Sequence, residues 1–188
     1  MVNDSINANE TIYQLKVTLK RIKPPIWRRI QVPGSITLHK LHEILQIVMG
    51  WQNYHLYQFT IDGSYYGELD DEFSMDVEDA SEYKLKDVVT GEKERFIYEY
   101  DLGDGWEHEI IVEKILPLEP DKHYPVCLKG KRACPPEDCG GPWGYYDLVT
   151  ILQNPDHPEY NDRRTWAGDF DPEDFDLEFI NKELITIM

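Results

Sequence analysis

The chain has 188 residues, of which 41% are hydrophobic and 29% charged, an ordinary globular composition that disfavours disorder of the whole chain. No apolar run approaches the roughly 18 residues of a membrane span, and the polar first eleven residues do not resemble a secretion signal. The net charge of -17 resides mainly in residues 61–188, whose negative field repels nucleic acid and anionic membranes, so we expect no specific duplex DNA binding and no membrane association.

Alternating side chains predict two strands at the start of the chain, followed by a helix. Residues 12–19 and 26–32 each place apolar side chains on one face, and prolines between them favour a hairpin. Residues 37–49 then change to helical spacing, with Thr37 or Ser35 as the N-cap and Gly50 as the terminating residue.

Further strands are predicted at 55–61, 65–66, 95–101 and 106–115, and helices at 145–153 and 172–184. The second of these helices is expected to start at Asp171, followed by a proline at its first position. Residues 68–82 hold eight acids in fifteen positions and predict an exposed loop outside the core. Residues 116–144 are rich in Pro and Gly and predict a long loop.

This order of elements predicts an α+β fold. We expect a disordered N-terminus at 1–11 and a single domain at 12–188. The expected domain is a β-grasp-like sheet with a β-β-α-β-β core, an added hairpin and C-terminal helices. Three cysteines, an odd and small number, favour reduced thiols and a cytoplasmic location.

Five strings of sequence carry a family resemblance. They are IWRRIQVP at 26–33, TLHKLHEILQIVMGW at 37–51, FIYEYDLGDGWEHEI at 96–110, ACPPEDCGGPWGY at 133–145 and WAGDFDPEDFD at 166–176. Together they resemble the plasmid pRiA4b ORF-three-like family. The resemblance implies a cytoplasmic protein of plasmid genes or insertion-element passengers and carries over no catalytic residue. Some relatives bear a resolvase label, which the negative charge and the absence of a nucleophile among clustered arginines disfavour here.

Aromatic and acidic side chains are expected to meet at the end of the 95–115 hairpin, where they suit ligand binding or acid–base chemistry. The alternative interpretation is a structural hydrogen-bond network that attaches the long loop to the sheet. The binding candidates are Asp101, Asp104, Trp106, His108, Glu137, Asp138, Trp143 and Trp166.

We expect no metal and no cofactor from sequence spacing alone. Cys127, Cys134 and Cys139 do not follow a zinc-binding spacing, so buried thiols are favoured over a zinc site. Basic residues at 20–29 suit an anion or an acidic peptide, but internal pairing with the surplus acids is favoured.

The leading functional hypothesis is a non-enzymatic binding or accessory protein of plasmid or mobile-element origin, acting on an unknown ligand or protein. The alternative is a hydrolase-like enzyme, with or without a metal ion, that uses His108 with Glu137 and Asp138. A tight turn at 102–105 further predicts that Glu99 lies opposite His108 and raises its pKa.

Overall fold

The computed structural model describes residues 10–69 and 76–187. In this part of the chain eight strands form one sheet, accompanied by five α-helices. The strands are β1 (Thr11–Leu19), β2 (Trp27–Pro33), β3 (Tyr57–Ile61), β4 (Ser64–Gly67), β5 (Val77–Asp79), β6 (Arg95–Tyr100), β7 (Trp106–Pro117) and β8 (Val126–Lys131). The helices are α1 (Leu38–Met49), α2 (Leu85–Val88), α3 (Gly141–Leu152), α4 (Tyr160–Ala167) and α5 (Leu177–Leu184), with a 3₁₀ turn at Ile185–Ile187.

The strand order across the sheet is β5-β4-β3-β6-β7-β1-β2-β8. Among the described strands, β4 and β5 pair in parallel and every other neighbouring pair is antiparallel. The predicted α+β class is therefore confirmed. The more specific β-grasp topology is not confirmed by this strand order.

Helix α1 forms where its spacing predicts it. The Thr37 hydroxyl accepts from the Lys40 N–H at 3.1 Å and caps the first turn, while Gly50 ends the helix with a left-handed φ of 93°. Because β2 and β3 are separated in the sheet by β1, β7 and β6, the helix that joins them crosses one face of the sheet. Its buried residues, such as Leu41 and Leu45, share one core with those strands, and each buried leucine contributes about 1.5–3 kcal/mol.

The prediction of one long loop at 116–144 is wrong. Strand β7 continues to Pro117, β8 occupies Val126–Lys131, and α3 begins at Gly141. On β8, Asn181 of α5 donates to the Cys127 carbonyl and accepts from the Cys127 N–H, at 2.9 and 2.8 Å. The Asn181 side chain thus satisfies two backbone groups of an edge strand that a neighbouring strand would otherwise pair with. Local sequence spacing does not reveal such a long-range contact.

Two other predictions need correction. Residues 70–75 of the predicted acidic loop lie outside the described residues, but Val77–Asp79 is strand β5 and Ala80 is fully buried. The last helix begins at Leu177 with Asp176 as N-cap, whereas Asp171 closes a local turn by accepting from the Glu173 N–H.

The predicted pairing of Glu99 with His108 is wrong by one residue. Strand β6 pairs Tyr98 with His108, Glu99 with Glu107, and Tyr100 with Trp106. The connection is five residues long because Asp101 takes a left-handed φ of 53° and leaves the strand. A slip of one residue moves a side chain to the opposite face of a sheet, so Glu99 and His108 face different sides.

Within residues 10–69 and 76–187, no helix is long and apolar enough to cross a membrane. The predicted disordered segment 1–11 lies largely outside those residues. The division of the chain into 1–11 and 12–188 therefore stays a prediction.

Candidate functional site

The turn between β6 and β7 presents one carboxylate in a fixed orientation. Asp101 Oδ1 accepts from the backbone N–H groups of Gly103 and Asp104, at 3.0 and 3.2 Å. The Asp101 carbonyl accepts from Gly105 N–H, and its own N–H donates to the Leu56 carbonyl. Asp101 Oδ2 is left to face the segment that leads into β3, where it lies 3.7 Å from His55 Nε2.

His55 reaches this carboxylate because β3 pairs with β6. The register places Tyr57 opposite Tyr100, so the residues just before β3 lie beside those just after β6. The Tyr54 N–H donates to the Tyr100 hydroxyl at 3.0 Å and fixes the segment one residue before His55.

The segment between β8 and α3 brings two more carboxylates to the same place. The Trp51 indole N–H donates to the Pro135 carbonyl at 2.9 Å and attaches this segment to the end of α1. Glu137 Oε1 accepts from the Gln52 N–H at 2.9 Å and from the Tyr100 hydroxyl at 3.0 Å. Its other oxygen lies 3.8 Å from His55 Nε2, and Asp138 Oδ1 lies 3.0 Å from the same nitrogen.

We call His55, Asp101, Glu137 and Asp138 the His55 cluster. One imidazole nitrogen faces three carboxylates, and the ligand-type atoms of His55, Asp101 and Asp138 lie within 4.8 Å of one another. Among the described residues, His55 Nε2 has no aligned hydrogen-bond partner in spite of these short distances. The acids at 101 and 137 are nearly buried, whereas the Asp138 side chain is 69% exposed, so the cluster is open on one side.

Tyr100 supplies a permanent proton donor to the cluster. Burial, followed by the nearby Glu137 carboxylate, raises the pKa of Tyr100 far above its usual value. The hydroxyl therefore stays protonated at neutral pH and continues to donate to Glu137.

The structure brings three of the sequence-predicted candidates, Asp101, Glu137 and Asp138, into this cluster. Asp104 lies next to it and accepts from the Gly140 N–H at 3.1 Å, which joins the turn to the 132–140 segment.

Trp106 and His108 lie instead in the core below the turn. Both are buried, and their rings lie 6.1 and 5.2 Å from that of Trp51. The His108 Nδ1–H donates to the Tyr98 carbonyl at 3.2 Å. Burial lowers the pKa of His108 to about 4. The histidine that faces Glu137 and Asp138 is thus His55 rather than His108.

Trp143 and Trp166 lie on helices outside the cluster. Trp143, 87% exposed on the first turn of α3, borders an open pocket of about 230 Å³ with Arg21, Pro142 and Tyr146. Trp166 is half exposed on α4.

The three cysteines form no disulfide, and Cys139 directly follows Asp138 of the cluster. Burial raises the pKa of Cys127 to about 11 and of Cys139 to about 12, and raises that of Cys134 well above its usual value. Protonated thiols are poor nucleophiles. Cys127 is buried and Cys134 and Cys139 are partly buried, so the three thiols are not activated for nucleophilic attack.

Sequence reasoning missed His55. The residue precedes a strand and belongs to no recognisable motif, so its position becomes meaningful only when β3 is paired with β6. One signal for the position of the site was available in the sequence, since Asn and Asp adopt the left-handed conformation more readily than most residues. Asn53, Asp101 and Asp138 all have positive φ and lie around the cluster.

Comparison with known proteins agrees with the predicted resemblance. The chain matches the plasmid pRiA4b ORF-3-like protein family over residues 11–179. It is 40% identical over 176 residues to the uncharacterized protein y4hQ of Sinorhizobium fredii, a match that covers 92% of this chain and 90% of that protein. It is also similar to the crystal structure of the protein of unknown function MM3350 from Methanosarcina mazei Go1. That similarity has a TM-score of 0.84 and 41% identity, and covers 93% of this chain and 98% of the other. The chain therefore belongs to the family of plasmid pRiA4b ORF-3-like proteins.

Proposed function

We propose that this protein binds a divalent transition-metal ion through the His55 cluster. The observation that supports the proposal is the approach of three carboxylates to one imidazole nitrogen, at 3.0, 3.7 and 3.8 Å. Metal bonds of about 2.1 Å place neighbouring ligand atoms roughly 3.0–3.4 Å apart at octahedral or tetrahedral angles. Small side-chain movements therefore suffice to put an ion between these atoms.

The ligand types indicate the class of ion. Carboxylates suit Mn²⁺ and imidazole suits Zn²⁺, so the mixed set favours these ions over Ca²⁺, which prefers oxygen ligands alone. The competing arrangement is an imidazolium that neutralises the carboxylates without metal. A protein that binds neither ion would favour this arrangement, whereas an ion that binds must displace the proton from the imidazole.

Two of the carboxylates are oriented as metal ligands commonly are. In Asp101 and in Glu137, one oxygen accepts two N–H or O–H hydrogen bonds while the other faces His55. Partners of this kind fix the direction of a ligand and typically change metal affinity by roughly 10–100-fold. The cluster thus has both ligands and the groups that orient them.

The test is a titration of chelator-treated protein with Mn²⁺ and with Zn²⁺ by calorimetry. Native protein is expected to bind one ion, and His55→Gln or Asp101→Asn to weaken binding strongly. Glu109→Gln is the matched control, because Glu109 is a carboxylate on β7 that pairs with Arg95 on the surface. Native protein that binds neither ion, or variants that bind as native protein does, would overturn the proposal.

We propose that the metal site belongs to a non-enzymatic accessory protein carried by plasmids or mobile elements; the family's description supports the plasmid association. Metal-assisted hydrolysis is a second candidate, favoured by the Asp138 side chain, which is 69% exposed and would give a metal-bound water a solvent-facing side. Turnover of p-nitrophenyl phosphate or p-nitrophenyl acetate by Mn²⁺-loaded protein, lost in Asp101→Asn, would decide for the enzyme.

We also propose that the protein does not bind duplex DNA specifically. Several cations of the basic N-terminal segment already have internal partners: Lys20 and Arg21 contact Glu107 at 2.6 and 3.3 Å, and Arg29 contacts Glu113 at 2.6 Å. They are thus less available for phosphates than their number suggests. A salt-resistant gel shift with a defined site would contradict this.

A further inference from the structure

A closed ring of hydrogen bonds lies behind the His55 cluster. The Gln46 Nε2–H donates to the Tyr98 hydroxyl at 2.9 Å, and the hydroxyl lies 2.8 Å from His42 Nδ1. His42 Nε2 lies 2.8 Å from Asn53 Oδ1, and the Asn53 backbone N–H donates to Gln46 Oε1 at 2.9 Å. The four residues therefore form a circuit that starts and ends on the Gln46 side chain.

The directions of these bonds are mutually determined. Because Tyr98 accepts from Gln46, its own proton is available for His42 Nδ1, and the His42 proton then resides on Nε2 and is donated to Asn53. Each group therefore donates once and accepts once around the ring. The hydrogen bonds of such a closed chain polarise one another and hold the four residues in one arrangement.

The ring lies in the interior and has little freedom. Gln46, His42 and Tyr98 are buried, and the His42 ring stacks on that of Tyr57 with centroids 3.6 Å apart and planes inclined by 7°. Burial lowers the pKa of His42 to about 4, so the neutral form needed for this pattern persists near neutral pH.

The loop that the ring holds is the one that carries His55. Asn53, with a left-handed φ of 58°, lies two residues before His55. The backbone N–H groups of Gln52, Asn53 and Tyr54 donate in turn to the side chains of Glu137, Gln46 and Tyr100. The loop is therefore held by side chains rather than by a backbone ladder.

We propose that the Gln46–Tyr98–His42–Asn53 ring positions His55 and thereby sets the metal affinity of the His55 cluster. The inference rests on the proposed function and assigns these four residues a role that involves no contact with the ion. A loop released from the ring loses the fixed approach of His55 to the carboxylates. The affinity is then reduced, because part of the binding energy is spent on ordering the loop.

The test compares two variants that each remove one buried tyrosine hydroxyl. Tyr98→Phe breaks the hydrogen-bond ring and keeps the aromatic side chain in place. Tyr13→Phe is the matched control, because the Tyr13 hydroxyl donates to the Val89 carbonyl at 2.8 Å in a buried position outside the ring. We expect Tyr98→Phe to weaken Mn²⁺ binding by roughly tenfold. Tyr13→Phe is expected to leave the affinity unchanged at a similar cost in stability.

A second measurement separates this inference from the proposed function. Amide hydrogen exchange at Tyr54 and His55 in metal-free protein is expected to be faster in Tyr98→Phe than in Tyr13→Phe. Equal Mn²⁺ affinity in the two variants would overturn the ring's role and leave the metal site standing. If native protein binds no Mn²⁺, the metal site fails, and equal exchange in the two variants would then overturn the positioning role as well. Asn53→Gly, which keeps the left-handed backbone and removes the acceptor, takes the place of Tyr98→Phe if the latter does not fold.

Discussion

The His55 cluster and the His108 pocket, which His108 forms with Trp51, Tyr98 and Trp106, both lie near the end of the β6–β7 hairpin. Each contains one histidine. In the cluster the imidazole faces three carboxylates and is open to solvent on the Asp138 side. In the pocket the imidazole is fully buried among aromatic rings, and burial lowers its pKa to about 4.

The surroundings of a histidine, rather than the residue type, therefore decide its role in this protein. Both histidines lie near the turn at 101–105. His108 points from β7 into the core, whereas His55 precedes β3 and contacts Asp101 after β6 and the two acids at 137 and 138 before α3. The carboxylates of the His55 cluster lie where loops converge, because carboxylates inside the sheet core would be costly to desolvate. The four experiments below test this division of roles.

The largest effect is expected from removing the aromatic side of the pocket. Trp106→Ala leaves a cavity in the core and should reduce the free energy of unfolding by about 3–5 kcal/mol. Trp143→Ala, a change of the same size at a position that is 87% exposed, should alter it by less than about 0.5 kcal/mol. Urea denaturation of both variants measures the contrast, and equal losses would contradict the assigned burial.

Low pH should destabilise the folded protein through His108. The folded-state pKa of His108 is about 4, below the unfolded value near 6.5, so the unfolded chain binds the proton more tightly. Stability is therefore fully present above pH 6.5 and is lost as the pH falls towards 4, by roughly 3 kcal/mol for this residue. His108→Gln should show a smaller loss across that window, with the effects of the carboxylates common to both proteins. If stability falls with pH as steeply in His108→Gln as in native protein, another group is responsible for the loss.

Metal affinity should depend strongly on His55 and hardly on His108. His55→Ala is expected to weaken Mn²⁺ binding by roughly 100-fold or more, because it removes the nitrogen that all three carboxylates face. His108→Gln should leave the affinity within about twofold, although it alters stability. Calorimetric titration well below the unfolding temperature provides the measurement. A large loss in His108→Gln would mean that the two regions are coupled.

The smallest effect concerns the register that places Glu99 and His108 on different faces of the sheet. Glu99 lies opposite Glu107, and burial followed by that carboxylate raises the pKa of Glu99. Glu99→Gln should therefore increase stability at pH 7 by up to about 0.5 kcal/mol, a gain that disappears below about pH 4.3, where the unfolded carboxyl is protonated. Titration of His108 by NMR should be the same in this variant as in native protein, and a shifted curve would contradict the register.

Much of the fold could be predicted from local sequence. The alternation of residues 12–19, the helical spacing that follows Thr37 and the left-handed Gly50 are each consequences of contacts within a few residues. Of the site, Asp101, Glu137 and Asp138 were predicted from an accumulation of polar and aromatic residues near one turn. Trp106 and His108 belonged to the same stretch of sequence, but alternation along β7 places both in the core.

The sequence by itself determined the family, the α+β class and the helix α1, because repeated spacing and turn residues act over short distances. Tertiary structure alone decided which histidine meets the acids. That choice depends on the left-handed Asp101, which lengthens the turn by one residue, and on the pairing of β3 with β6, which brings His55 beside it. It depends equally on the Trp51 and Gln52 contacts that draw Glu137 to the same place. Such contacts join distant parts of the chain and are selected by the packing of the whole sheet, so no local pattern in the sequence encodes them.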